Sequence, residues 1–286
     1  MIDPLAPTDP LLAAVLAWAR RQATVRVVLL TGSRAQPAAT PDALSDFDVE
    51  LYVDGDPAIY ADDGWLPEIA PVLVSVGDAW EGDPTRLVFF EGGRKADFLI
   101  RRLDALDALT EQLDELHERG FVVLLDRDGR AAGLPAPSGR PRRAVPTAMQ
   151  LADAAREFWF EAAHVPRYLA RGELWPAQTR LANARGELLR LIELHAQATS
   201  GAAASDVRHL GTALARWAAP WITQRLAATF AGYAREETFQ ALQAATALFS
   251  RVCAETAHAA GVPAPIEIER AMRPLTAAIP DMSGGP

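Results

Sequence analysis

The chain has 286 residues, half of them hydrophobic, with a mean hydropathy of +0.01, a size and composition that bury a core of one or two domains. Its single cysteine, Cys253, excludes an internal disulfide and a cysteine-based metal site, and no run is long enough to span a bilayer, so a cytoplasmic protein without membrane contact is expected. The net charge of −9 is uneven: residues 1–140 carry 24 Asp and Glu against 13 Lys and Arg, residues 141–286 carry 13 against 15, and an acidic half argues against nucleic acid and for a cationic partner.

Asp9 and Pro10 open a helix, the aspartate as cap and the proline in the first turn, with Leu12, Val15, Leu16 and Trp18 on its apolar side. Residues 25–30 are β-branched or aliphatic and read as a buried strand that ends at Gly32. Gly32 lets the backbone turn sharply and come close to a ligand. Ser33 adds a hydroxyl and an N–H there, and Arg34 adds a planar fork of donors suited to phosphate. Residues 35–44 form a loop able to close over a nucleotide.

A second strand covers residues 47–53. Alternation along it places Asp46 and Asp48 on one face, Phe47 and Val49 on the other. Two adjacent carboxylates repel, and Mg²⁺ removes that penalty, since it binds through one or two carboxylates plus substrate phosphates. A glycine–serine turn beside paired aspartates points to a nucleoside triphosphate site.

Further strands are expected at residues 72–76 and 86–91, with a connection at 80–83. A hairpin turn at Glu91-Gly92-Gly93-Arg94 leads to a return strand over 95–100. Asp97 lies in that apolar strand and needs a partner, either Arg94 or Arg101 or a metal. One amphipathic helix is expected over 103–118, with His117 as a solvated cap, then a strand over 121–125. Residues 127–146 are rich in glycine and proline and hold the domain boundary. Beyond it the pattern is a helical bundle, with helices including 151–169, 206–219 and 239–253, Cys253 in the core, and a loosely docked tail from 263.

The order strand, Gly32-Ser33-Arg34, loop, Asp46-Phe47-Asp48, strand resembles the polymerase-β-like nucleotidyltransferase superfamily. Glu157-Phe158-Trp159-Phe160 and the run from Val165 to Leu174 are similar to a segment of the streptomycin-type aminoglycoside 6-adenylyltransferases, and the turn from Phe89 to Asp97 is similar to theirs. The resemblance implies an α+β fold: a nucleotidyltransferase domain with a mixed sheet flanked by helices, residues 1–140, and an all-α bundle that completes the substrate cleft, residues 141–286. It implies a monomeric enzyme that moves AMP from Mg²⁺-bound ATP onto a hydroxyl of an aminoglycoside. Gly32, Ser33, Arg34 and Arg167 would hold the phosphates. Asp46 and Asp48 would bind the metal, and Asp97 would be the proton acceptor or a further ligand. Glu157 and Trp159 would meet the acceptor, with a helix salt bridge and core packing as their alternatives.

One departure is visible. Where the family has a lysine-containing Gly-Lys-x-Gly-Lys-Tyr-Leu run, this chain has Arg208 to Leu214 without lysine. Lys95 is the sole lysine, so exchange for arginine is a compositional habit, but Thr212 is no such exchange. That leaves open another acceptor, a different small molecule or a protein hydroxyl.

Overall fold

The structure, a computed structural model, describes residues 9–36, 41–139, 144–199 and 209–281. The chain divides into two compact units, residues 1–141 and 142–286, each described by itself.

In the first unit, helix α1 (Pro10–Arg21) starts where the Asp9 carboxylate accepts the N–H of Leu11 at 2.9 Å. Among the described residues six strands follow: β1 (Val25–Thr31), β2 (Phe47–Val53), β3 (Val72–Trp80), β4 (Asp83–Phe90), β5 (Arg94–Arg102) and β6 (Val122–Asp126). They form one mixed sheet in the order β3-β4-β5-β2-β1-β6, in which β2 and β5 run parallel and the other neighbours antiparallel.

Side-chain alternation divides the work of the two faces. On one, Leu30, Phe47, Val49, Leu51, Phe98 and Ile100 pack under α1 and an aromatic cluster of Trp18, Tyr60 and Trp65. On the other, Val27, Leu29 and Tyr52 pack against Leu106, Leu109 and Leu113. That second face also carries Asp48 and Asp97.

Two local expectations change. Strands β3 and β4 extend into what the sequence marks as a connection, because Glu81 and Gly82, at φ 53° and 92°, close a two-residue hairpin turn between Trp80 and Asp83. The single helix over 103–118 is instead α2 (Ala105–Glu111) and α3 (Glu115–Arg119). The break falls at Asp114, whose carboxylate accepts the N–H of His117 and caps a new helix. His117 is therefore no solvated cap. It is fully buried, with its ring 3.2 Å from Glu50 and 2.8 Å from Asp114.

The second unit is helical. Helix α4 (Ala148–Ala170) begins with a capping box of Thr147 and Gln150. It packs with α5 (Leu174–Thr199) and α8 (Arg235–Ala260) around Phe158, Leu181, Leu188, Leu242 and Phe249, and Cys253 lies in that core. The long helix expected over 206–219 is absent over its described part; residues 206–208 lie outside the described residues. Leu210, Gly211 and Ala213 all take positive φ, which ends helical hydrogen bonding, and only the short α6 (Leu214–Trp217) follows. Pro220 opens α7 (Pro220–Leu226) rather than ending a helix. The tail is not loose over its described part: α9 (Ile266–Thr276) lays Ile268 and Met272 on the core, and Gln243 donates to the Thr276 carbonyl at 2.7 Å. Among the described residues, no helix is long and apolar enough to cross a membrane.

Candidate active site

The register places the acidic residues side by side. Asp48 on β2 is the direct partner of Asp97 on parallel β5, and Thr31 at the end of β1 is the partner of Asp48 on its other side. Asp46 precedes Asp48 by two residues and shares its face. One carboxylate oxygen from each of Asp46, Asp48 and Asp97 lies within 4.8 Å of the others.

The turn after β1 closes over this row. Gly32 has φ of 65° and starts a single 3-10 turn, Gly32–Arg34. A Cβ on Gly32 would sit 1.7 Å from Asp48 Oδ2. Glycine is required here twice, for its backbone angle and for the approach of the carboxylate. Gly32→Ala is expected to cost about 1–2 kcal/mol from the backbone alone, with the displacement of Asp48 added. Denaturant unfolding reads it; an unchanged midpoint would show that the turn relaxes without cost.

Electrostatics follow from this crowding. Burial, reinforced by Asp46 and Asp97, pushes the Asp48 carboxyl up to about 7. Burial also raises Asp97, against the opposing pull of Lys95. The ammonium of Lys95 lies 2.5 Å from Asp97 Oδ2 and 3.0 Å from Asp46 Oδ2. Burial works against that ammonium's charge, but the two carboxylates outweigh it and raise its pKa.

Asp97 is thus paired with neither arginine. Arg94 pairs with Asp9 at the start of α1, and Arg101 pairs with Asp83 at 3.0 Å. Sequence reasoning missed the role of Lys95, although it is the chain's sole lysine and stands two residues before Asp97 on the same strand face.

The donors fit a hard divalent cation, for which carboxylate oxygens are the preferred ligands. Asp97 Oδ1 is buried without a hydrogen-bond partner among the described residues, an atom with spare acceptor capacity beside the other two carboxylates.

Arg34 is engaged otherwise than expected. Its guanidinium donates to the carbonyls of Asp42, Ser45 and Asp46 at 2.7–3.2 Å and lies over Phe47, 4.1 Å from the ring centre. It fastens the loop that carries Asp46 instead of standing free for phosphate. Ser33 is half-buried in the turn.

The remaining candidates lie in the helical unit. Arg167 is exposed near the end of α4, with no ion pair among the described residues, and Glu157 is exposed on the same helix. Trp159 is corrected: it is 1% exposed, edge-on to Phe158 and Phe249, and offers no face to a sugar. The cavity beside it, about 40 Å³, is too small for one. A tryptophan after a buried phenylalanine on an amphipathic helix falls at the edge of the core-facing stripe, and here the stripe includes it.

A glycine turn against an acidic row on a mixed sheet is the construction of a nucleotidyltransferase, and comparison with known proteins agrees. The chain belongs to the streptomycin adenylyltransferase family, whose family model matches residues 8–278. An aminoglycoside 6-adenylyltransferase of Campylobacter jejuni is 29% identical over 187 residues, 62% of this chain and 63% of that protein's length. One from Bacillus subtilis (strain 168) is 27% identical over 198 residues, 65% of this chain and 68% of that protein. The crystal structure of an aminoglycoside 6-adenyltransferase from Bacillus subtilis covers 93% of this chain and 96% of its own at 19% identity and a TM-score of 0.44, too loose a likeness to carry an argument.

Proposed function

We propose that the protein transfers AMP from Mg²⁺-bound ATP to a hydroxyl of a cationic aminoglycoside of the streptomycin type, with release of pyrophosphate. The observation that carries this reading is the convergence of Asp46, Asp48 and Asp97 within 4.8 Å, beneath the Gly32 turn, in a chain of the adenylyltransferase family. Antibiotic resistance would be its biological consequence.

Asp46, Asp48 and Asp97 are the residues that would hold Mg²⁺, which when bound supplies positive charge against the triphosphate. The backbone at Gly32 and the Ser33 hydroxyl offer donors to the phosphates. The acceptor oxygen bonds to the α-phosphorus as the bond from that phosphorus to the β-phosphate bridging oxygen breaks, and the electron pair leaves with pyrophosphate. Asp97 takes the acceptor's proton, directly or as a ligand of a second metal. Arg34 acts one step back, by fixing Asp46. The exposed fork of Arg167 remains the family's candidate for a triphosphate contact, and Glu157 the candidate for a cationic group of the acceptor. The acidity of residues 1–140 supports a cationic acceptor over a nucleic acid. The reading has the protein act as a cytoplasmic monomer.

The test is pyrophosphate release from Mg²⁺-ATP with a panel of aminoglycosides, streptomycin first, for wild type and Asp97→Asn. Release that requires an aminoglycoside and falls by about a thousandfold in the variant is the expected result. ATP turnover on no aminoglycoside would overturn the acceptor and turn attention to other hydroxyl compounds, as the lysine-free segment around Thr212 suggests.

A further inference from the structure

The cation position between Asp46 and Asp97 is already held by a side chain. Lys95 Nζ bonds to Oδ2 of both, and these residues also belong to the carboxylate group that suits a metal ion. A small divalent cation sits roughly 2.0–2.1 Å from its oxygen ligands, whereas an ammonium sits about 2.7–2.9 Å from a carboxylate oxygen. The ammonium and a divalent cation on the same pair of carboxylates carry like charge a few ångströms apart, so each disfavours the other.

We infer that Lys95 is the resident cation of the site, holding Asp46 and Asp97 until a nucleotide brings phosphate oxygens that draw its ammonium away and admit the metal. The inference rests on the metal assignment above and adds an order to it: metal enters with nucleotide, and the acidic row alone takes it up poorly.

Three observations support it. First, Lys95 is the one lysine among 28 basic residues, so the charge here is carried by the side chain the rest of the chain avoids. Second, the choice matches the task. A lysine ammonium is a compact charge on a flexible stem, free to rotate between partners, whereas a guanidinium would clamp a carboxylate with a rigid fork. Third, the side chain is neither locked in the core nor loose on the surface: it is 27% exposed, and the strand that carries it is fixed in register to β2 and β4. Asp46 and Asp97 face its ammonium directly, and the charge of Asp48 lies beside them. Phe89, its neighbour across β4, brings no charge.

The experiment measures Mn²⁺ binding by electron paramagnetic resonance, with and without a non-hydrolysable ATP analogue. Wild type is expected to bind Mn²⁺ at least about tenfold more tightly with the analogue than without it. Lys95→Met removes the competing charge and is expected to tighten nucleotide-free Mn²⁺ binding about tenfold while weakening the analogue. Lys95→Arg, which keeps the charge, is expected to leave nucleotide-free Mn²⁺ binding weak. If the lysine merely braced the carboxylates, Lys95→Met would bind Mn²⁺ no better or worse than wild type, and that result overturns the inference. Wild type itself supplies a second check that needs no variant: Mn²⁺ affinity independent of the analogue also overturns it. Mn²⁺ binding no greater than in an Asp46→Asn/Asp48→Asn protein under both conditions would overturn the metal assignment together with this inference, and so separates the two failures.

Discussion

Asp48→Asn is expected to lower kcat/KM for pyrophosphate release by at least about a thousandfold, the equivalent of several kcal/mol of charge stabilisation, without weakening the fold. The change keeps the shape that fits under Gly32 and removes only a charge. That charge is the costliest of the three, since burial and the flanking Asp46 and Asp97 all oppose it. A group whose folded pKa stands near 7, above its ordinary 3.8, stabilises the fold most when protonated. Metal-free wild type should therefore lose stability as pH rises from about 4 to about 7 and level off above, while the asparagine variant should lack that decline. Pyrophosphate assays and unfolding curves across this range test both halves. Activity within tenfold of wild type would remove Asp48 from the metal assignment.

The largest effect on stability should come from His117, which bonds to Glu50, two residues along β2 from Asp48. Glu50 shares the face of Asp48 on β2, is 2% exposed, and accepts the Tyr52 hydroxyl at 2.7 Å. His117 reaches it from α3 and is held in turn by Asp114. Burial opposes the imidazolium, but the Asp114 and Glu50 carboxylates outweigh it and raise His117 to about 9. Arg101 on β5 adds positive charge near the same Glu50 and Tyr52.

Because the folded pKa stands above the ordinary 6.5, this stabilisation is complete below about 6.5 and is lost as pH rises through about 9. The loss is on the order of 3 kcal/mol. His117→Leu should cost about 3–5 kcal/mol at neutral pH by removing the cation hydrogen-bonded to buried Glu50, with Arg101 left as the remaining nearby positive charge. Adding Glu50→Gln, which removes the stranded charge, should recover most of it. Urea titrations at pH 6.5 and 9.5 distinguish this account from simple packing: equal loss in the single and double variants would show that the charge pair is not the cause.

The sequence determined the parts whose physics is local. Strand alternation put Asp46 and Asp48 on one face, Gly32 ended β1 in the one residue type its turn allows, and Asp9 with Pro10 marked the first helix. The Asp97 strand was legible too, because glycines at 92 and 93 announce the turn before it. Partners across the fold were not legible, since they depend on register and burial that no short window contains. Only the parallel pairing of β2 with β5 sets Asp97 against Asp48 and delivers Lys95, rather than Arg94 or Arg101, to the carboxylates. Only the break between α2 and α3 carries His117 inward to Glu50, where an isolated helix pattern would leave it in water. The family resemblance named Trp159 as an acceptor contact, with core packing as its alternative; no short window says which way a residue at the edge of a helix's apolar stripe turns, and close packing with Phe158 and Phe249 decided it.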